Sequence, residues 1–327
     1  MRRTLVSVIL VGVTVLLAAS WFGWGKEGAR PVAPATTGAD GINDLYAFIG
    51  IFAVAIFLSV MIPLALIVAR YRERGLPREV EGPQIRGNTR LELMWTAIPI
   101  AIVIVITAFT LYKAPGIIDP ASAAGEDELE IAVEGRQFYW RYVYADGQIA
   151  IDTLRVPVNR VVDLEITAPD DDVVHSFWAP AIGGKMDAIP GITNHFKFKA
   201  TRTGLFEGRC AELCGIQHAD MKLFVEVLTP EGFDRWLEET SRQQEAGGPE
   251  LGQTLFEGVC TKCHFAAPEY APNIATNPIL GDAGAIRELV TEGRGRMPAV
   301  GRGWTERELD SLTRFLETIA PRGSSGG

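Results

Sequence analysis

Three long apolar runs occupy the first third of the chain, at residues 4–20, about 46–69 and about 93–112, and the remainder is mainly polar. The second and third runs hold about 25 and about 19 residues, and about 20 are needed to span a membrane. Pro63 and Pro99 lie inside them, where neighbouring helices can satisfy the freed carbonyls. The pattern predicts a transmembrane helical hairpin over 45–113, in preference to a buried core helix.

The first apolar run has the layout of an export signal. Two arginines precede the apolar stretch, and the small residues Ala18, Ala19 and Ser20 follow it. This order predicts a signal peptide over 1–24. A third membrane helix is the alternative, since the aromatic sequence WFGW at 21–24 is unusual beside a cleavage site.

The stretch between the second and third runs is rich in arginine, with six at positions 70, 72, 74, 78, 86 and 90. Basic loops stay on the cytoplasmic side of a membrane. We therefore expect everything after Lys113 to lie outside, on the periplasmic side of a bacterial inner membrane. Glu92, at the cytoplasmic mouth of the third run, is either a solvated interfacial carboxylate or a group that admits protons.

From about residue 128 the apolar positions alternate with polar ones, which is the period of a half-buried strand. Segments at 129–133, 161–166, 195–199 and 222–227 alternate in this way, and turn signals at 146–147, 183–184 and 190–191 separate them. Short strands at this spacing predict a β-sandwich or small barrel over 125–240.

Two of the four cysteines lie in CAELCGIQHADM at 210–221. Cys210 and Cys214 are followed by His218 and Met221, and His175 ends an earlier segment. Thiolate and thioether sulfurs are soft ligands that suit copper, and zinc rarely recruits methionine. The pattern predicts a copper site at one rim of the sandwich. A disulfide between the cysteines is the alternative in an oxidising compartment.

The motif C-x-E-x-C-x-x-x-H-x-x-M, with HSFW at 175–178 and KMDAIPG at 185–191 before it, resembles the dinuclear CuA centre of cytochrome c oxidase subunit II. The resemblance covers about residues 40–240 and implies a cupredoxin-like domain. It implies that Cys210 and Cys214 bridge two coppers and that His175 and His218 bind one copper each. Met221 supplies a weak ligand.

The same resemblance assigns roles to further residues. The backbone carbonyl of Glu212 becomes the other weak copper ligand, and its carboxylate a ligand for Mg²⁺ or Mn²⁺ shared with the catalytic subunit. Glu92 matches the carboxylate that feeds protons into the oxidase. Asp187 either lies near the shared cation or stabilises a turn. His195 matches no ligand position, so we expect a packing or surface residue.

The aromatic run GRQFYWRYVY at 135–144 also belongs to the resemblance. In many relatives its first aromatic is tryptophan, which accepts electrons from soluble cytochrome c. Here that residue is Phe138, a departure that puts docking of an external cytochrome in doubt. Tyr139 and Trp140 are candidates for the electron path, although packing against the sandwich core is the better explanation for most of these aromatics.

Residues 229–240 predict a helix with Thr229 as its cap and Pro230 at its first position. A linker is expected over 241–250, where glycine and proline interrupt the pattern. The sequence CTKCH follows at 260–264, and in an exported domain C-x-x-C-H indicates covalent haem attachment. A thioredoxin-like redox pair is excluded by the lack of a βαβ pattern.

By this interpretation Cys260 and Cys263 form thioethers and His264 is the proximal haem ligand. Met297, on a loop flanked by glycine and proline, is the predicted distal ligand, a pairing that raises the reduction potential. The sequence TERE at 305–308 predicts a capping box that opens a last helix. Residues 251–321 resemble a class I cytochrome c, an all-α domain, and 322–327 are expected to be a disordered tail.

Together the segments resemble subunit II of a haem–copper oxidase with a fused cytochrome c. The resemblance implies that electrons pass from the haem to CuA and on to catalytic subunit I, which works with the other oxidase subunits to reduce O₂ while protons are translocated. The expected donor is a quinol–cytochrome c reductase or another cytochrome. The alternatives are the CuA-bearing subunit of a nitric oxide reductase, or a membrane-tethered copper or redox module without a catalytic partner. A net charge of −9 argues against nucleic acid as a partner.

Overall fold

The computed structural model describes residues 32–72, 84, 86–118, 128–245, 249–265, 271–274 and 277–320. The predicted signal peptide and C-terminal tail lie outside these residues, as do Arg74, Arg78 and the centre of the expected linker at 246–248. The chain forms two compact units. One comprises residues 1–33 and 40–117, and the other comprises residues 34–39 and 118–327.

The first unit contains two helices, α1 (Thr37–Tyr71) and α2 (Thr89–Ile118), that are long and apolar enough to cross a membrane. Phe48 of α1 stacks on Phe109 of α2 with ring centroids 4.1 Å apart. Apolar side chains of both helices are exposed, among them Leu66 and Ile104, each at 62%. Lipid is the solvent that such a surface requires. The predicted transmembrane hairpin is confirmed.

The second unit begins with a sandwich of two five-stranded sheets. Its strands are β1 (Leu129–Arg136), β2 (Tyr139–Tyr144), β3 (Ile149–Ile151), β4 (Thr153–Pro157), β5 (Val161–Thr167), β6 (His175–Trp178), β7 (Met186–Ala188), β8 (Asn194–Lys199), β9 (Gly204–Cys210) and β10 (Lys222–Leu228). One sheet has the order β3-β2-β1-β5-β8 and the other β4-β10-β9-β6-β7. The four alternating segments of the sequence are β1, β5, β8 and β10, as predicted.

Two of the strand pairs are parallel and the others antiparallel. Strand β1 pairs in parallel with β5, and β4 with β10, so strands distant in sequence are held side by side. The inward-facing residues of both sheets form the core, including Ile131, Leu164, Val225 and Phe177, all of them fully buried. This arrangement is the cupredoxin-like sandwich that the sequence predicts.

Helix α3 (Pro230–Glu245) follows the last strand. The amide of Gly232 donates to Thr229 Oγ1 at 3.1 Å, which confirms Thr229 as the cap. The helix continues five residues into the segment expected to be a linker. Gln244 explains this extension, because its side-chain amide accepts from the backbone amide of Ile149 and donates to the Ile149 carbonyl, at 2.9 and 2.7 Å.

The C-terminal part is helical, as the sequence predicts for a cytochrome domain. Its elements are α4 (Pro249–Leu255), a π-helical segment (Phe256–Cys260), α5 (Thr261–His264), a 3₁₀ turn (Pro278–Gly281), α6 (Ala283–Glu292) and α7 (Glu306–Ile319). The predicted capping box of α7 is present, with Thr305 and Glu308 bonding each other's backbone amides.

The helical domain and the sandwich share apolar contacts. Tyr139, Ile149 and Ile151 belong to strands of the sandwich, yet they pack in the same cluster as Leu255 and Trp304 of the helical domain. Residues of two domains in one core hold those domains in a fixed relation. The helical domain therefore packs in a fixed position against the sandwich.

Candidate metal centre and cofactor pocket

Neighbouring strands bring the predicted metal ligands together. His175 is the first residue of β6 and Cys210 the last residue of β9, and these two strands pair with Phe177 opposite Cys210. The chain then runs through residues 211–221 before β10 begins. The amide of Cys210 donates to the carbonyl of Met221 at 2.9 Å, which closes residues 210–221 into a compact loop. We name this segment the copper loop.

The sulfur atoms of the loop form a tight cluster with two imidazoles. Cys210 Sγ and Cys214 Sγ lie 3.8 Å apart, and Cys214 Sγ is 3.7 Å from Met221 Sδ. His175 Nδ1 lies 3.9 Å from Cys210 Sγ, and His218 Nδ1 lies 3.7 Å from Cys214 Sγ. Each cysteine thus faces the other cysteine and one histidine.

The pKa values of the two thiols are shifted in opposite directions. The hydrogen bond from Cys214 holds the pKa of Cys210 well below its usual range, and the same hydrogen bond raises the pKa of Cys214. The thiol of Cys210 therefore loses its proton more readily than that of Cys214, and a bound cation favours the thiolate form of both.

Asp172 and Gln137 support the cluster from outside. Asp172 Oδ1 lies 3.2 Å from Nε2 of His175, which leaves Nδ1 directed at Cys210. Burial lowers the pKa of His175, but the hydrogen bonds to Asp172 and Cys210 outweigh it, so the pKa is raised overall. Gln137 Nε2 donates to the carbonyl of Cys214 at 2.6 Å and so fixes the loop backbone.

The donor set fits copper. His175, Cys210 and Met221 are nearly or fully buried, and soft sulfur donors converge with imidazole nitrogens at one point. The backbone oxygen of Glu212 also lies 3.2 Å from Cys210 Sγ. The structure thus brings together all six predicted donor groups. None of the four cysteines forms a disulfide.

The carboxylate of Glu212 has different surroundings. It is 47% exposed, and its Oε2 lies 3.7 Å from Lys185 Nζ. Asp187 accepts hydrogen bonds from Lys185 Nζ at 2.8 Å and from Ser176 Oγ at 2.7 Å. Asp187 therefore ties two neighbouring strands together, and its expected place near a shared cation stays a prediction.

A cavity of about 470 Å³ contains the second predicted set of ligands. Its wall is mainly apolar, with Val259, Leu280, Ile286 and Leu316 among the lining residues, and it also contains Cys260, Cys263, His264 and Met297. This volume and lining suit a cofactor of moderate size. The residues present therefore fit a haem attached at Cys260 and Cys263.

The chemistry of the individual residues agrees with this fit. His264 Nδ1 lies 2.6 Å from the carbonyl of Pro272, which orients the ring and leaves Nε2 free for a metal. Burial raises the pKa of Cys260 to about 12, and burial also raises the pKa of Cys263. The shift of both pKa values is thus opposite in direction to that of Cys210.

The predicted electron-path aromatics lie in three different places. Phe138 lines the haem cavity and packs over Gly215 of the copper loop. Tyr139 lies between the domains, where its hydroxyl donates to the Val300 carbonyl and accepts from Trp304 Nε1, at 2.6 and 3.1 Å. Trp140 is fully buried in the sandwich, edge-on to His175 with ring centroids 6.2 Å apart.

Two residues with weaker predictions are also described. At the start of α2, Glu92 accepts from the amide of Asn88 at 3.1 Å, and Asn88 Oδ1 accepts from the amide of Leu91 at 3.3 Å. Glu92 therefore takes part in capping the helix. His195 is mostly exposed and pairs with Asp163, which fits the surface role expected of it.

Sequence reasoning missed four supporting residues: Gln137, Asp172, Gln217 and Lys262. Asp172 ends a run of three aspartates three residues before His175, and Lys262 lies inside CTKCH. Their nearness to His175 and to the haem-attachment cysteines is the sequence signal that could have identified Asp172 and Lys262. The contacts of Gln137 and Gln217 depend on tertiary structure and leave no trace in the sequence pattern.

Three segments of the chain match known protein families. Residues 31–112 match the transmembrane domain and residues 148–228 the periplasmic domain of cytochrome c oxidase subunit II. Residues 248–316 match the cbb3-type cytochrome c oxidase subunit III family.

Individual relatives agree. Cytochrome c oxidase subunit 2 of Alkalihalophilus pseudofirmus is 36% identical over 248 residues, which cover 73% of this chain and 71% of that protein. The protein of the same name in Synechocystis is 30% identical and covers 71% of this chain, with 81% of its own length matched. The periplasmic domain of oxidase subunit II from Bradyrhizobium japonicum is 36% identical over 36% of this chain and 96% of its own, with a TM-score of 0.34.

These matches cover the membrane hairpin, the sandwich with its sulfur cluster and the helical domain with its cavity. The chain belongs to the cytochrome c oxidase subunit II family and carries an additional cytochrome c-type domain at its C-terminus.

Proposed function

We propose that this chain passes electrons from a covalently attached haem c to a dinuclear CuA centre, and from there to the catalytic subunit of an oxidase that reduces O₂ to water with proton translocation. The observation that carries the proposal is the sulfur cluster, in which each cysteine faces one histidine and the other cysteine. Family membership supports copper as its occupant.

In the copper loop, Cys210, Cys214, His175 and His218 would hold the copper pair, with Met221 and the Glu212 carbonyl as weaker donors. In the cavity, Cys260 and Cys263 would attach the haem, and His264 and Met297 would bind its iron. Thiolate-bridged copper and ligated haem supply one-electron relays whose geometry changes little on reduction.

The protein's own contribution is orientation and exclusion of water. Asp172 fixes the His175 ring with Nδ1 toward the sulfurs, and the Pro272 carbonyl fixes His264 with Nε2 toward the cavity. Cys210 and Cys214 are buried, at 3% and 2% exposure. Rigid, dry surroundings restrict the movement of ligands and solvent that would otherwise accompany each electron.

Further roles follow from the resemblance. The exposed Glu212 carboxylate would share Mg²⁺ or Mn²⁺ with catalytic subunit I, in competition with Lys185. Glu92 would admit protons at the cytoplasmic side. The hairpin would anchor the chain in a bacterial inner membrane, with both redox domains in the periplasm. The donor to the haem would be a quinol–cytochrome c reductase or another cytochrome.

The experiment that tests this proposal is purification of the chain from its native membrane. We expect it to copurify with a large polytopic subunit, to retain haem under denaturing conditions and to give the electron paramagnetic resonance hyperfine pattern of an electron shared by two coppers. Cys214→Ser should abolish that pattern. If the chain purifies alone with copper and haem bound, the oxidase role is refuted. If the hyperfine pattern survives Cys214→Ser, the assignment of Cys214 as a bridging ligand is refuted.

A further inference from the structure

Lys262 occupies an unusual place between the two halves of the proposed electron route. It lies between Cys260 and Cys263, and its side chain leaves the helical domain to reach the sandwich. Its Nζ donates to the carbonyl of Phe138 at 2.9 Å and pairs with Asp152 Oδ2 at 2.5 Å. The lysine and aspartate side chains are each 18% exposed, so the contact is largely shielded from water.

The backbone of the same residue contacts the copper loop. Gln217 Nε2 donates to the carbonyl of Lys262 at 3.3 Å. Gln217 is only 5% exposed and directly precedes His218, the histidine that faces Cys214. The segment between the haem cysteines is thus hydrogen-bonded to the neighbour of a copper ligand.

Phe138 completes this junction. Its carbonyl is the acceptor for Lys262, while its ring lines the haem cavity and packs over Gly215, next to Cys214. Gln217 and Ile216 of the copper loop line the same cavity. Two contacts therefore join the wall of the haem cavity to the copper loop, the Gln217–Lys262 hydrogen bond and the packing of Phe138 over Gly215, and the Lys262–Phe138 hydrogen bond links the two.

We propose that Lys262 and Gln217 are positioning residues that hold the haem-attachment segment against the copper loop and thereby set the rate of electron transfer between the two centres. The inference rests on the proposed function. In that step one electron leaves the haem, which is oxidised, and reduces the copper pair, and no proton is transferred. Neither residue is among the proposed metal ligands; each acts through the segment that it holds.

The charge of Lys262 matters because its partner is buried in part. Burial raises the pKa of Asp152, and the neighbouring Lys262 ammonium opposes that shift. A charge-assisted hydrogen bond between partly buried groups is stronger than a neutral one. Arginine at 262 keeps the charge and the donor atoms, whereas methionine keeps only the length and apolar stem of the side chain.

The test compares Lys262→Met, Lys262→Arg and Gln217→Leu with the unchanged chain in the purified oxidase. The haem is reduced by a light-activated donor, and the transfer of its electron to copper is followed by absorbance. Loss of a charge-assisted hydrogen bond lowers the equilibrium constant for holding the haem-attachment segment against the copper loop about tenfold. We therefore expect Lys262→Met to slow the transfer by about that factor. Gln217→Leu should slow it by less, and Lys262→Arg should restore most of the rate.

Thr261→Val is the matched control, because Thr261 also lies between the cysteines but its hydroxyl donates to the Glu257 carbonyl of the adjoining helical segment, at 2.6 Å. A second measurement is independent of electron transfer. In the haem-attached, copper-free chain, hydrogen exchange at residues 136–142 and 214–218 should increase in Lys262→Met and stay unchanged in Thr261→Val.

The outcomes separate this inference from the function on which it rests. If Lys262→Met transfers electrons as fast as Thr261→Val, with unchanged exchange at both segments, the positioning role is overturned and the proposed function stands. Equal slowing by Lys262→Met and Lys262→Arg would also overturn it, because charge would then be irrelevant. If the unchanged chain passes no electron from haem to copper, the proposed function fails and this inference fails with it.

Discussion

A buried ion pair between the two domains provides the sharpest stability prediction. Arg141 of the sandwich donates from Nε and Nη2 to the two carboxylate oxygens of Glu308 at the start of α7, at 3.1 and 3.2 Å. The Glu308 side chain is fully buried and the Arg141 side chain is 8% exposed. Replacing Arg141 with methionine would leave the Glu308 charge buried, with only the helix cap around it.

The cost follows from that burial. Removing one partner of a buried ion pair destabilises by about 3–5 kcal/mol, because the other charge stays desolvated. For a cooperative unit of this size each kcal/mol lowers Tm by roughly 2–4 °C, so Arg141→Met should lower it by roughly 6–20 °C. Replacing both residues with methionine should recover part of the loss, since Glu308 then leaves no buried unpaired charge. The recovery is partial because the capping box of α7 is lost with Glu308 and Glu134 keeps only Arg136 as a partner.

The assay is thermal unfolding of the full chain in detergent, followed by haem absorbance for the helical domain and by circular dichroism for the sandwich. Arg155→Met is the matched control, because the Arg155–Glu226 pair lies within the sandwich and its side chains are 30% and 33% exposed. Exposed pairs contribute about 0–1 kcal/mol. If Arg141→Met lowers Tm no more than Arg155→Met, the Arg141–Glu308 pair does not hold the domains together.

Three further predictions test separate parts of the structure. Gly258→Ala would place a methyl group against Ile151 of the sandwich, so we expect about 1–3 kcal/mol of destabilisation in thermal unfolding, whereas Gly284→Ala, where the added carbon meets only a side-chain oxygen at 3.4 Å, should be neutral or slightly stabilising. Met297→Ala should convert the haem from a low-spin to a high-spin absorption spectrum with the haem still covalently bound, and an unchanged spectrum would exclude Met297 as the axial ligand. Asp172→Asn should alter the copper hyperfine splitting and weaken copper retention against a chelator by about 10- to 100-fold, the range for lost partners of metal-bound histidine; unchanged retention would contradict its role in orienting the ring.

The parts of the site that could be predicted from sequence are those fixed by local spacing. Cys210, Cys214, His218 and Met221 lie within one loop, so their order along the chain already limits which atoms can meet. The capping boundaries at Thr229 and Thr305 are local for the same reason. His175 is 35 residues from Cys210, and only strand pairing places it beside the sulfurs.

The contacts between the domains could not be predicted in this way. Lys262 and the Phe138 carbonyl are 124 residues apart in sequence, and Arg141 and Glu308 are 167 apart. Glu308 is a clear case, because the sequence identifies it as the acid of a capping box and the structure confirms that role. The same carboxylate also receives Arg141, and a local motif carries no information about a second partner from another domain.

The position of Phe138 bears on the proposed electron route through the additional domain. The resemblance assigns this position to an aromatic residue that receives electrons from a separate cytochrome at the surface of the sandwich. Here Phe138 is only 9% exposed, and its ring lines the cavity of the chain's own helical domain. In the proposed electron route, a side chain covered in this way would not be the contact point of an external cytochrome, and the tethered domain would replace that diffusional encounter with a local one. The contact that Lys262 makes with the Phe138 carbonyl lies at this same place, and a donor from outside would deliver its electron to the helical domain instead.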